Sequence, residues 1–241
     1  MASPSPLPER QQFTVADFAL TILAGFVGVF VAALAVTPAD DPALLLVASL
    51  LGQYAGHLLG LWIVLRRRRS SFGAIGLHVE PSDGVYLLGG VLLQIVIAAA
   101  FIPVAEWIGA EGSSQALAEQ IPNVGGAALR AALVVSVALV APVTEELMFR
   151  GLLPRVLDRW MGRGVSYVVA ALVFASFHLL GVTGDNFLQS VLLLVPQLFV
   201  VGLILGWQAM RRRRLGVAIF IHAGFNLVAV LALLFAPETF S

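Results

Sequence analysis

The chain has 241 residues, 59% hydrophobic and 12% charged, with mean hydropathy +0.95 and no cysteine. A water-soluble domain carries about a quarter charged residues, so the composition excludes an ordinary soluble protein and points to an all-α, polytopic membrane protein. A net charge of zero argues against nucleic acid as a partner, and the absence of cysteine removes disulfides and thiol chemistry.

Residues 1–12, "MASPSPLPERQQ", are rich in Pro and Ser and are expected to form a disordered tail before a single transmembrane helical domain over 13–241. Only Arg10 precedes the first apolar run, and that run is longer than the about 7–15 residues of a signal h-region. Despite the Ala-Leu-Ala at 33–35, a signal anchor is expected rather than a cleaved signal. A spanning helix needs about 20 apolar residues. The segments 14–36, 43–65, 84–108, 127–149, 164–181, 187–210 and 215–236 qualify, which predicts a bundle of about seven transmembrane helices. Small residues recur in "LAGFVGVFVAALA" and "YLLGGVLLQIVIAAA", where they let helix backbones approach closely. Gln53 and His57, in "GQYAGH", share a face of the second segment and predict interhelical hydrogen bonds, with a substrate-channel role as the alternative. His78 is expected to be solvated.

The charges are ordered along the chain. It has 14 arginines and no lysine. Arg66 to Arg69 follow the second segment, Arg150, Arg155, Arg159 and Arg163 the fourth, and Arg211 to Arg214 the sixth. With seven spans these clusters and Arg10 fall on one side, and Arg130 alone falls outside the set. The positive-inside rule then predicts a multi-pass protein of the inner (plasma) membrane with a cytoplasmic N-terminus and an outer C-terminus.

Against this background "APVTEELMFRG", residues 141–151, is anomalous, because a charge at bilayer depth is costly and faces a partner or a cavity. Glu146 and Arg150 are four apart on one helix face, whereas Glu145 points about 100° away. One carboxylate is therefore neutralised within its helix and the other is not. The unpaired one is the candidate general base, since burial without a partner moves a carboxylate toward the range a base needs. Pro142 predicts a kink that leaves backbone polar groups open. An interfacial helix end with an ordinary ion pair would account for the same stretch. In the next segment "FASFH" places Phe174 and His178 on one face, which fits either a helix-to-helix hydrogen bond or a catalyst. In the last, "HAGFN" does the same for His222 and Asn226, a pair able to form a polar clamp or to donate to an oxyanion.

"EELMFR", "FASFH" and "HAGFN" match, in order and spacing, the motifs EExxxR, FxxxH and HxxxN/B of the CPBP family, the CAAX-protease and bacteriocin-processing (Abi) group of intramembrane endopeptidases. The chain resembles that family over a motif core of 127–236, and "FGAIGL" at 72–77 is similar to a loop many members carry. The resemblance implies that Glu145 and His178 activate the attacking water, that His222 and Asn226 stabilise the oxyanion, and that Glu146 and Arg150 order the site. It implies hydrolysis of a peptide or membrane-protein substrate within the lipid bilayer. The family has been described both as metalloprotease and as glutamate protease. Carboxylate with two imidazoles is a zinc-type set, yet no HExxH helix is present and Asn226 suits an oxyanion better than a metal. The expectation is no cofactor, with zinc as the less favoured alternative. Competing readings are a non-catalytic membrane scaffold or bacteriocin-immunity protein, and a proton-coupled transporter, although no internal repeat of the polar triad supports the last. For Glu145 and His178 to meet at one depth, the fourth helix must continue through "GLLPRVLDRW", 151–160.

Overall fold

A computed structural model of the chain describes residues 12–109, 120–182 and 187–235. The tail expected to be disordered lies, apart from Gln12, outside the described residues. Seven helices dominate: α1 (Val15–Val36), α2 (Pro42–Arg67), α3 (Tyr86–Ile108), α4 (Ala127–Met161), α5 (Arg163–Phe177), α6 (Phe187–Arg212) and α7 (Gly216–Phe235). Each belongs to a stretch long and apolar enough to cross a membrane, so the protein is an all-helical, multi-pass bundle. The expected segments coincide with these helices except the fourth, which runs on past 149.

Local chemistry sets the helix starts. Thr14 and Asp17 form a reciprocal capping box at α1, and Asp41 caps α2 with Pro42 at the first helical position. Tertiary order then comes from close backbone approach. A Cβ at Gly28 would sit 2.0 Å from the Gly52 carbonyl oxygen, and one at Gly52 would sit 2.4 Å from that of Gly28. Helices α1 and α2 are thus joined backbone to backbone, as the small residues predict. The same device presses α3 onto α7. A Cβ at Gly90 would meet the Ile221 carbonyl at 1.9 Å, and one at Gly224 the Leu87 carbonyl at 2.0 Å. The most hydrophobic stretch of α7 is 56% buried against 11% for α1 and α3, which makes α7 the central stave. The outer helices turn apolar side chains such as Phe26, Phe30, Leu88 and Leu92 outward, the surface a lipid solvent requires.

Helix α4 is continuous for 35 residues, about 52 Å at 1.5 Å per residue, and exceeds the roughly 30 Å hydrocarbon core. Glu145 therefore lies near its middle, as the extension through 151–160 requires. Two π-helical stretches widen it on either side of Pro142, Ser136–Val140 and Leu147–Leu152. Each is followed at the second residue by a proline, Pro142 or Pro154. A proline has no N–H and crowds the carbonyl four residues back, so the ladder shifts to i→i+5 before it. The Ala141 N–H accordingly bonds to the Ser136 carbonyl. The i+5 partner of Val137 would be Pro142, so the Val137 carbonyl is left without a helical donor.

The arginine-bearing helix ends gather at one end of the bundle. Arg68, closing α2, pairs with Asp17 at the start of α1 at 2.7 Å. Arg214, before α7, pairs with Asp83 and with Glu80 ahead of α3, the latter at 3.1 Å. Arg163, opening α5, donates to the Met210 carbonyl of α6 at 3.1 Å. At this end the loop 72–77 docks inward: Ile75 is fully buried, and the Gly76 carbonyl accepts from the Leu215 N–H at 2.9 Å. Gly76 has φ +103°, a conformation that favours glycine.

Candidate functional site

Glu146 and Arg150 form the expected i, i+4 pair at 2.9 Å, with side chains 0% and 1% exposed. Isolated burial of either charge in the bundle would be prohibitive, and the pair persists because each member has further partners. The other side of the Glu146 carboxylate chemistry was not foreseen: its Oε1 also accepts from His222 Nδ1 of α7 at 2.9 Å. Arg150 reaches the Gly202 carbonyl of α6 at 3.3 Å, and its guanidinium lies 4.4 Å from the centroid of Phe174. One ion pair thereby joins α4, α5, α6 and α7.

Glu145 diverges from Glu146, as the helical geometry predicts. Its side chain is 17% exposed, and its Oε2 stands 3.6 Å from His222 Nε2, beyond hydrogen-bonding distance. That oxygen is buried and carries no hydrogen bond. His222 thus lies between the two glutamates, one nitrogen bonded and the other merely facing a carboxylate. With the proton on Nδ1 donated to Glu146, Nε2 is the acceptor nitrogen of the neutral ring.

His178, where α5 gives way to a short 3₁₀ turn, uses Nδ1 toward the Phe174 carbonyl at 2.9 Å. A donated Nδ1–H fixes the tautomer and leaves Nε2 as an acceptor. Phe174 is the common neighbour of the motifs, edge-to-face with His178 at 4.7 Å and with His222 at 5.8 Å. Asn226 donates from Nδ2 to the Val137 carbonyl at 3.0 Å, the carbonyl that the π-helical stretch before Pro142 left open. Its second N–H is not used in that bond. The expectation of open backbone groups near Pro142 is therefore met, and Asn226 closes one of them.

Sequence reasoning missed two contributors. Phe174 entered only as a face-mate of His178, whereas its ring also meets His222 and Arg150. Tyr54 of α2 is buried, at 8% exposure, within electrostatic reach of Glu145. Its signal was present in "GQYAGH", one position from Gln53. The interhelical hydrogen bond expected of His57 does not form at Nδ1, which is buried without a partner. The ring fills the space above Gly25 of α1, where a Cβ would lie 1.9 Å from Nε2.

Among the described residues no three His, Asp or Glu side chains gather with the geometry of a metal site. Glu146 Oε1 and His222 Nδ1 are bonded to each other, which leaves Nε2 as the nitrogen that His222 turns toward Glu145.

Residues 126–228 match the family model described as type II CAAX prenyl endopeptidase Rce1-like. No curated protein and no solved structure matches the chain. The matched span holds Glu145, Glu146, Arg150, His178, His222 and Asn226 and leaves out α1, α2 and α3. The likeness to that family (CPBP/Abi) is therefore a likeness of residues 126–228, the part of the chain that carries the polar cluster.

Proposed function

We propose that the protein is an intramembrane endopeptidase that hydrolyses a peptide bond of a membrane-associated peptide or protein. The observation that carries this reading is the asymmetry of two adjacent glutamates: Glu146 is fully buried with its Oε1 bonded to both Arg150 and His222, while Glu145 is 17% exposed and only faces His222 Nε2 across 3.6 Å, although each has a buried Oε2 without a hydrogen bond. In the proposed reaction, water donates one hydrogen bond to Glu145 and one to His178 Nε2, so its lone pair faces the scissile carbonyl. Glu145 takes the proton as the C–O bond forms and returns it to the leaving amine as the C–N bond breaks. The free N–H of Asn226 receives the oxyanion. His222 adds a second donor from Nε2 when both of its nitrogens carry protons. Glu146 and Arg150 hold His222 without touching substrate, and no step passes through a metal.

The test is cleavage of a library of membrane-inserted peptides by the purified chain, read by mass spectrometry beside the Glu145→Gln variant. Defined products that vanish in the variant are expected. Intact peptides throughout, with folded protein, would leave the scaffold reading in place of the enzyme.

We also propose that the arginine-bearing end faces the cytoplasm, with the N-terminus on that side of the inner membrane. Reporters fused after Arg69 and after Asn123 should lie on opposite sides, the first inside; two reporters on one side would refute this topology.

A further inference from the structure

The arginine-bearing end contains a cavity of about 360 Å³ between α4, α5, α6 and the loop before α7. Its size falls within the roughly 300–1,000 Å³ of small-ligand pockets. Five guanidinium groups line it, from Arg150, Arg155, Arg163, Arg213 and Arg214, with Asp158 as the acidic lining residue. Two of the five are matched by carboxylates, Arg150 by Glu146 and Arg214 by Asp83 and Glu80. The others are not. Arg155 donates to the Gly151 carbonyl at 2.5 Å. Arg163 donates to the Met210 carbonyl and to the hydroxyl of Tyr167, which also lines the cavity. For Arg155, Arg163 and Arg213 no carboxylate partner occurs among the described residues. Carbonyls orient a guanidinium but do not cancel its charge, so the cavity retains a positive excess that Asp158 only partly offsets.

We propose that this cavity is a binding site for a phosphate group, supplied by the headgroup of an anionic phospholipid. Several planar guanidinium forks around one space suit the oxygens of a phosphate, each able to take two. The cavity lies at the arginine-bearing end of the seven spans, the end a surrounding bilayer would meet with its headgroups, and basic pockets between transmembrane helices are suited to such headgroups. Its inner wall is Arg150, the residue that holds Glu146. An occupant would share a guanidinium with the buried ion pair. The site does not depend on the peptidase reading, because occupancy can be measured without turnover.

The test uses the delipidated full chain in uncharged detergent. Short-chain phosphatidylglycerol, short-chain phosphatidylcholine and inorganic phosphate are each titrated by calorimetry. The double variant Arg155→Gln/Arg213→Gln is compared with Arg67→Gln/Arg69→Gln, an equal loss of charge outside the cavity. Phosphatidylglycerol should bind once per chain, more tightly than phosphatidylcholine, with affinity down about tenfold or more in the cavity variant and unchanged in the control. Saturable binding of inorganic phosphate, lost in the same variant and with phosphatidylglycerol silent, would keep the phosphate site but overturn its lipid source. Equal losses in both double variants, or no saturable binding of any probe, would overturn the site. If the cavity double fails to unfold cooperatively, Arg213→Gln alone carries the comparison, since Arg213 is exposed and has no carboxylate partner among the described residues.

Discussion

Helices α1 and α2 and helices α4 to α7 solve one problem, association in a lipid solvent, by different means. The first pair joins by backbone contact through Gly28, Gly52 and Gly56, with no ion pair across its middle. The second group places Glu146, Arg150 and His222 at its centre and uses them as joints between four helices. Glycine contacts cost no desolvation and could have served there too. Buried charge is the costlier device. It occurs where Glu145 and Glu146 stand side by side, and the family match falls on that region and omits the other.

The comparison can be broken at its centre. Arg150→Met would leave Glu146 buried with no cation, and the unfolding free energy in detergent should fall by about 3–5 kcal/mol. A variant of wild-type stability would mean the ion pair is no joint. Next in size is Asn226→Ala. Cleavage should fall about 10²–10³-fold, from the loss of an oxyanion donor, while stability changes by only about 1 kcal/mol for the bond to Val137. A stability loss with full cleavage would make Asn226 a clamp on the widened helix and nothing more.

On the other side of the comparison, Gly28→Leu would force α1 and α2 apart and should cost about 1–3 kcal/mol while sparing the peptidase rate of the folded fraction. An equal drop in that rate would show the two regions to be coupled. The smallest effect belongs to Arg68→Gln. Its pair with Asp17 is partly solvated, at 25% and 10% exposure, so about 0.2–1 kcal/mol is expected from a thermal melt. A larger loss would give the N-terminal pair a charged joint after all.

Much of this contrast was legible in the sequence because lipid narrows the choices. Length and hydropathy mark seven spans, and alternating arginine clusters order their ends. The 3.6-residue repeat paired Glu146 with Arg150 and turned Glu145 away. What was not legible depends on register between helices. Nothing in "HAGFN" states that His222 meets Glu146, because that contact depends on the register of α7 against α4. Pro142 announced a disturbed helix, but a single proline does not choose between an i→i+4 and an i→i+5 ladder before it. The fastening of Asn226 to the Val137 carbonyl followed from that choice. Phe174 and Tyr54 were passed over because an aromatic ring in an apolar helix carries no pattern that separates site from packing.

The central claim is the division of roles between Glu145 and Glu146, and the most direct test is the cleavage rate and unfolding free energy of Glu145→Gln and Glu146→Gln side by side. Glu145→Gln should keep wild-type stability and lose about 10²–10⁴-fold in rate, the contribution of a general base. Glu146→Gln should lose stability first, because Arg150 and His222 both lean on its carboxylate. Full cleavage by Glu145→Gln at wild-type stability would contradict the account.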